Sequence, residues 1–207
     1  MSNSEQKNVI TLSSSAALLV EYINYAINTI LYQRDVSPKD EFVSVSYNGL
    51  PLFVSNNYTT LNRIQDVLDV IQPLIALPIP DLGIHLILMD KATGHAIERW
   101  EFVIHNEDLA EPNRKPSRKN TILIQHEIRQ LMKQITASIS CLPVPPRSGF
   151  GWKLSVSDLP TWVTLPAGWF RAPRDEIYNP QQLELRSFST GLHQMETIVT
   201  YREDKSR

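Results

Sequence analysis

Residues 83–104, GIHLILMDKATGHAIERWEFVI, decide the fold class, because they contain two apolar strands around a short turn. The turn segment KATGHA includes Gly94, and glycine is typical of a tight reversal. In the second strand Trp100, Phe102 and Ile104 alternate with Arg99 and Glu101. Side chains alternate between the two faces of a strand, so we expect the apolar set to point into a core. This stretch therefore predicts an antiparallel hairpin.

Two further segments have the same character. In FVSVSYNGLPLFVS, residues 42–55, the pair Asn48-Gly49 separates two apolar runs and tolerates the positive φ of a tight turn. Near the end of the chain, Leu183–Phe188 and Met195–Tyr201 flank STGLHQ and predict the last strands. The sheet built from these segments is expected to be antiparallel.

Three segments between the hairpins have helical periodicity. In the first, residues 13–34, one stripe is apolar and consists of Leu19, Ile23, Ala26, Ile27 and Ile30. Another stripe is polar and consists of Glu21, Asn24 and Asn28. Serines 13–15 are candidate N-caps. The second, residues 59–74, repeats Leu61, Ile64, Leu68 and Ile71 until Pro73 kinks or stops it. The third, residues 120–139, repeats Ile124, Ile128, Leu131 and Ile135. Helices and hairpins without a βαβ rhythm predict an α+β fold with the helices packed on an antiparallel sheet.

Composition limits the class of protein. The chain has 207 residues, 42% of them hydrophobic and 20% charged, which is typical of one globular domain. A net charge of −2 gives no basic excess for binding nucleic acid. Cys141 is the single cysteine, lies in apolar SISCLPV, and is expected to be a small buried side chain in a reducing compartment such as the cytosol or nucleus. MSNSEQKNV lacks the apolar run of a signal peptide, and no run is long enough to span a membrane.

Signatures of catalysis are missing. The seven glycines form neither a GxGxxG nor a GxxxxGK[ST] motif, and the five histidines lack metal-ligand spacing. The carboxylate pairs Glu107-Asp108 and Asp175-Glu176 lie in irregular stretches and are interpreted as solvated. We therefore expect a protein that is not an enzyme and needs neither a cofactor nor a metal.

One segment fits no regular pattern. PTWVTLPAGWFRAPRDEIYNP, residues 160–180, contains Trp162, Trp169 and Phe170 together with four prolines that deny it a helix or a central strand. It is too apolar for an ordinary loop. Ordinary core is one interpretation of its aromatic side chains.

Four stretches together resemble the spindle-checkpoint branch of the HORMA-domain family. They are residues 10–38 (ITLSSSAALLVEYINYAINTILYQRDVSP), 97–102 (IERWEF), 128–139 (IRQLMKQITASI) and 185–190 (LRSFST), in the family's order and at nearly its spacing. Residues 64–74 (IQDVLDVIQPL) are also similar to a sister HORMA protein, the accessory subunit of the translesion polymerase zeta. The other motifs favour the checkpoint branch.

The resemblance implies a single HORMA domain, with residues 1–12 as an N-terminal arm, 13–156 as core and 157–207 as a C-terminal safety belt. In the family's open form the belt folds against one sheet edge, and in the closed form it crosses to the other edge and pins a partner peptide beneath it. The peptide lies as an added strand on the sheet, beside residues 150–156. The partner-peptide site would then comprise Phe150, Trp152, Leu154, Val156, Trp162, Trp169 and Phe170. The terminal strands of the belt would contain Leu185, Arg186, Ser187, Phe188, Val199 and Tyr201.

The resemblance also implies a self-association surface and a set of partners. Lys133 and Gln134 match an Arg-Gln pair through which family members dimerise, with Arg129 and Cys141 on the same surface, while Trp100 matches a buried core tryptophan. The implied partners are mitotic arrest deficient one and cell-division-cycle twenty, the activator of the anaphase-promoting complex, in the mitotic checkpoint complex. The implied role is a conformational switch that delays anaphase, acting at the kinetochore, in the nucleus and in the cytoplasm, with no nucleic acid or membrane partner.

Overall fold

A computed structural model describes residues 10–107, 119–163 and 176–203. Over these ranges the chain forms three α-helices: α1 (Leu12–Gln33), α2 (Tyr58–Ile75) and α3 (Thr121–Ser138). The strands are β1 (Phe42–Tyr47), β2 (Leu50–Ser55), β3 (Asp81–Asp90), β4 (Ala96–Asn106), β5 (Phe150–Ser157), β6 (Pro180–Glu184), β7 (Phe188–Ser189) and β8 (His193–Arg202). The predicted α+β class is confirmed.

The main sheet is antiparallel throughout, in the order β5-β3-β4-β8-β6, and the short β7 also pairs with β8. Strands β5 and β6 are therefore at opposite edges. The hairpin β1–β2 forms a separate small sheet, and Asn48 and Gly49 at its turn have φ of 47° and 72°, as the Asn-Gly pair predicted.

The helices cover one face of the main sheet, and the core lies between the two layers. Trp100, Phe102 and Ile104 point into this core with at most 3% of their surface exposed, as predicted. Tyr22 of α1 contacts Phe102 edge-to-face, with ring centroids 6.1 Å apart. We call the sheet face opposite the helices the outer face.

The helical stripes are confirmed with local corrections. The predicted apolar sets of α1 and α3 are all buried, but Leu61 of α2 is exposed, and Val67 and Leu74 are buried there. α2 continues for two residues beyond Pro73. Asn28, predicted to lie on a polar stripe, is fully buried, and its Oδ1 accepts a hydrogen bond from the Ser55 N–H at 2.9 Å.

The ends of the elements differ from the sequence predictions in three places. The N-cap of α1 is Thr11 rather than one of serines 13–15. The Thr11 hydroxyl accepts from the Ser14 N–H and the Ser14 hydroxyl accepts from the Thr11 N–H, which together form a capping box. The predicted strand Leu183–Phe188 is divided into β6 and β7, with residues 185–187 between them. Cys141 is exposed rather than buried, since it lies in a 3₁₀ turn just after α3.

Candidate functional site: the two edges of the main sheet

Strand β5 forms one edge of the main sheet, and among the described residues no strand pairs with its outer side. The Lys91 N–H donates to the Gly149 carbonyl at 3.2 Å, and the same register continues through β5 without a shift. In an antiparallel ladder, successive residues alternate in the direction of their backbone groups. The odd-numbered residues of β5 therefore bond to β3, and the even-numbered ones direct their N–H and C=O groups away from the sheet.

Four of the predicted peptide-site residues are the ones with outward backbone groups. Phe150 is buried, while Trp152, Leu154 and Val156 are half-buried and pack against the core. Their side chains point to the helices, and their backbone N–H and C=O groups point away from the sheet. The arrangement offers a row of hydrogen-bonding groups beside an apolar surface, which is how a sheet edge accepts an extended peptide.

The remaining predicted peptide-site residues lie beyond β5. Trp162 is described and 60% exposed. Trp169 and Phe170 lie outside the described residues. The structure therefore places four of the seven residues together on β5.

Arg63 of α2 lies beside the same edge and was not expected from the sequence. Its guanidinium carbon is 4.6 Å from the centroid of the Trp152 ring, and its Nη1 donates to the Trp152 carbonyl oxygen at 3.1 Å. Arg63 itself is exposed. A single arginine on the polar face of a helix carries no sequence signal of such a contact.

The C-terminal strands occupy the opposite edge. β8 pairs with β4 from Glu98↔Tyr201 to Asn106↔His193, and β6 pairs with the other side of β8. Between Ser157 and Pro180 the chain therefore passes from one edge to the other, about 19 Å at the usual strand spacing. Ile177, near the end of this passage, packs against Ile87 and Ala96 on the outer face.

Buried polar contacts hold β8 against α1. Tyr22 Oη and Thr197 Oγ1 are 2.8 Å apart, and both side chains are buried. Burial raises the pKa of the Tyr22 hydroxyl, which stays protonated and able to donate. Further along, Ser15 Oγ lies 2.8 Å from His193 Nδ1 and 2.7 Å from Thr190 Oγ1, and these contacts fix the start of β8.

Of the predicted belt residues, Phe188, Val199 and Tyr201 lie in β7 and β8. Phe188 and Val199 are buried, and the Phe188 ring contacts Tyr22 edge-to-face at 5.2 Å. Leu185, Arg186 and Ser187 lie between strands, where the Arg186 N–H donates to Gln134 Oε1 at 2.8 Å. Gln134 thus joins α3 to the segment that precedes β7.

The predicted self-association residues lie on or just after α3. Lys133 and Cys141 are exposed, and Arg129 and Gln134 are half-buried. They do not belong to the β5 edge.

A row of polar side chains crosses the outer face from β5 to β8. Ser157 Oγ is 2.7 Å from His85 Nε2, His85 Nδ1 is 3.3 Å from Glu101 Oε1, and Thr200 donates to Glu101 at 3.4 Å. Burial raises the pKa of Glu101, but the hydrogen bond from His85 and the charge of Arg99 outweigh it and lower the pKa to about 2. Glu101 therefore stays ionised, and the row joins the strands at both edges.

A buried ion pair supports the sheet from the helical side. Arg34 Nη2 lies 2.8 Å from Glu98 Oε2, with 4% and 1% of the two side chains exposed. The fully buried Trp100 donates from Nε1 to Glu98 Oε1 at 2.6 Å. Arg34 also donates to the Pro143 carbonyl and lies over the Phe150 ring, so the pair links β4 to the start of β5.

The described ranges contain no group of three or more histidine, cysteine, aspartate or glutamate side chains arranged to hold a metal ion. In the same ranges, no helix has the length and apolar character needed to cross a membrane.

Comparison with known proteins identifies the family. The HORMA-domain model matches residues 15–193. The mitotic spindle checkpoint protein MAD2 of Zea mays is 32% identical, covering 99% of this chain and 97% of the relative, and the Arabidopsis thaliana protein is 31% identical over 96% and 94%. The human mitotic spindle assembly checkpoint protein MAD2A is 30% identical over 93% of each chain.

Solved structures agree. A chain in the crystal structure of the mitotic checkpoint complex superposes with a TM-score of 0.79 at 28% identity, covering 91% of this chain and 99% of that one. The Caenorhabditis elegans protein HTP-2, bound to the HIM-3 closure motif, has the same fold, with a TM-score of 0.73 at 12% identity over 98% of each chain. The chain therefore belongs to the HORMA-domain family, in the spindle-checkpoint branch that contains the MAD2 proteins.

Proposed function

We propose that this protein is a conformational switch of the spindle assembly checkpoint, which captures short segments of partner proteins as an added strand on β5. The observation that carries the proposal is the pair of sheet edges. The outward backbone groups of β5 are suited to strand addition, while β6–β8 are paired at the far edge. We infer that this arrangement is the closed form that the family resemblance implies.

A safety belt changes mainly the lifetime of such a complex. Residues 157–207 are proposed as the belt, and Trp162, Trp169 and Phe170 as side chains that dock it around the bound segment. Covering the peptide slows its release, and most affinity differences between related complexes lie in the dissociation rate. Moving β8 to another edge breaks its ladder with β4, so the two forms are separated by a high barrier.

The proposed partners are mitotic arrest deficient one and cell-division-cycle twenty. Capture of the latter in the mitotic checkpoint complex would restrain the anaphase-promoting complex and delay anaphase. The relatives and the checkpoint-complex structure support this role over that of a polymerase zeta adaptor. The activity proposed is binding rather than catalysis, exercised at the kinetochore and in the nucleus and cytoplasm.

Self-association between open and closed copies is proposed for the surface of Arg129, Lys133, Gln134 and Cys141. Gln134 also accepts the hydrogen bond from the Arg186 N–H. Because that contact joins α3 to the belt, a change in the conformation of the belt would change the position of Gln134 on this surface.

The test uses Leu154, whose N–H points outward. Fluorescein-labelled peptides that tile the two partners are titrated with the protein, and binding is followed by anisotropy. Leu154→Pro removes one outward N–H and spares the β3 ladder, so we expect it to weaken binding at least about tenfold while the protein stays folded.

Leu154→Ala is the matched control, because it shortens the side chain and keeps the N–H. Equal affinities of the proline and alanine variants would show that the peptide does not pair with β5. If no peptide from either partner binds, the checkpoint role itself is wrong. Binding only of peptides from the polymerase zeta catalytic subunit would assign the protein to the other branch.

A further inference from the structure

Arg63 is a cationic side chain that lies against an outward-facing backbone carbonyl of β5. One of its nitrogens donates to the Trp152 oxygen, and the guanidinium plane lies over the Trp152 ring. An arginine has five N–H donors in a planar fork. Most of its donor capacity therefore remains at the position that an added strand would occupy.

The charge of Arg63 is not balanced by an ion pair within the described residues. Asp66 lies one turn further along α2 and makes no ion pair with it. The two fixed partners of Arg63 are an uncharged carbonyl and an aromatic ring, which orient the guanidinium but do not neutralise it. A carboxylate is the side chain that best fits the remaining donors.

Strand geometry indicates which residue of a bound peptide would meet Arg63. Directly opposed residues of two antiparallel strands place their side chains on the same face, about 5 Å apart. Trp152 points to the helical face, where Arg63 covers it. The peptide residue opposite Trp152, or its diagonal neighbour on that face, therefore lies next to the guanidinium.

We propose that Arg63 is a specificity residue of the β5 edge, which favours partner segments carrying an acidic side chain opposite Trp152. The proposal rests on strand addition at β5 and adds the chemical class of one side chain in the captured segment. Lys153 cannot take this role, because its side chain projects to the outer face.

The experiment scans one labelled partner peptide that binds in the assay above. Each position is replaced in turn by Glu, Gln or Lys, and each peptide is titrated with the unchanged protein, with Arg63→Gln and with Arg63→Glu. At one position we expect the unchanged protein to prefer Glu over Gln by about fivefold, the upper range for an exposed ion pair. Arg63→Gln should reduce that ratio to about one, and Arg63→Glu should make Lys the preferred residue there.

Three results would overturn the inference in different ways. If the scanned peptides bind but no position has a Glu preference that depends on Arg63, strand addition stands and the specificity role is wrong. If Arg63→Gln binds every peptide more tightly, the arginine blocks the edge instead of selecting a ligand. If no partner peptide binds any variant, the proposed function fails and the inference fails with it.

Discussion

Replacing Glu98 by glutamine tests the buried ion pair that links β4 to β5. Glutamine has the same shape and keeps an oxygen for the Trp100 N–H, so the substitution removes little except the charge. Arg34, with 4% of its side chain exposed, would then be buried opposite a neutral amide. Breaking one side of a buried pair costs about 3 to 5 kcal/mol. The Pro143 carbonyl and the Phe150 ring still contact Arg34, so we expect the lower end, about 3 kcal/mol.

The assay is urea unfolding of both proteins, followed by the fluorescence of the tryptophans and by circular dichroism. In thermal unfolding of a chain of this size, a loss of 3 kcal/mol corresponds to a fall in Tm of about 10 °C. Asp35→Asn is the matched control, because it removes the exposed pair with Lys39, and asparagine tolerates the φ of 52° at that position. We expect this control to lose under about 1 kcal/mol.

A small effect of Glu98→Gln would refute the reasoning. Burial raises the pKa of the Glu98 carboxyl, and the charge of Arg34 opposes that rise. If the carboxyl were protonated at neutral pH, the amide would replace a neutral group by another neutral group. A loss below about 1 kcal/mol would therefore show that Glu98 is uncharged and that no buried ion pair stabilises the sheet.

Two further predictions concern the docking of β8. Tyr22→Phe leaves the buried Thr197 hydroxyl without its 2.8 Å partner, so we expect it to lower the free energy of unfolding in urea by about 1 to 2 kcal/mol. Amide exchange should become faster in β8 than in β5. Tyr25→Phe is the control, and equal losses of stability in the two variants would contradict the assigned hydrogen bond. Burial lowers the pKa of His105, but its contacts with Asp81 and Glu196 outweigh this effect and raise the pKa. The contribution of His105 to folding stability is therefore complete below about pH 6.5, and it is lost as the pH rises through the raised pKa. The stability difference between the unchanged protein and His105→Gln, under about 1 kcal/mol for so exposed a group, should therefore shrink from pH 6 to pH 9, and a difference that grows would exclude the ion pairs.

The sequence predicted the elements whose side chains repeat regularly. The stripes of α1 and α3 and the alternation in β4 were each confirmed, because a buried face imposes a period on the chain. The prediction for Leu61 was wrong because the buried stripe at this end of α2 contains Thr60, Ile64 and Val67 instead. Cys141 failed because apolar neighbours in the sequence do not place a residue inside when the helix has already ended.

The contacts that make the site were beyond the reach of periodicity. Tyr22 and Thr197 are separated by 175 positions, and nothing in either local sequence indicates that the two hydroxyls meet. Arg63 and Trp152 are 89 positions apart, and an arginine on a polar helix face predicts only solvent exposure. The edge of β5 was located through the family resemblance, whereas the outward direction of its backbone groups required the register with β3.

The buried polar residues of β8 specify where the strand must dock. Its helix-facing positions are His193, Met195, Thr197, Val199 and Tyr201, so a purely apolar pattern would accept a shift by two residues with little penalty. Such a shift would place Met195 or Val199 against the Tyr22 hydroxyl and leave that hydroxyl buried without a partner. It would also separate His193 from Ser15 and from the Ile75 carbonyl. Each unmade bond costs about 1 to 3 kcal/mol, so these contacts favour the observed register. The register of β8 is therefore specified by polar contacts, while apolar burial supplies most of the stabilisation.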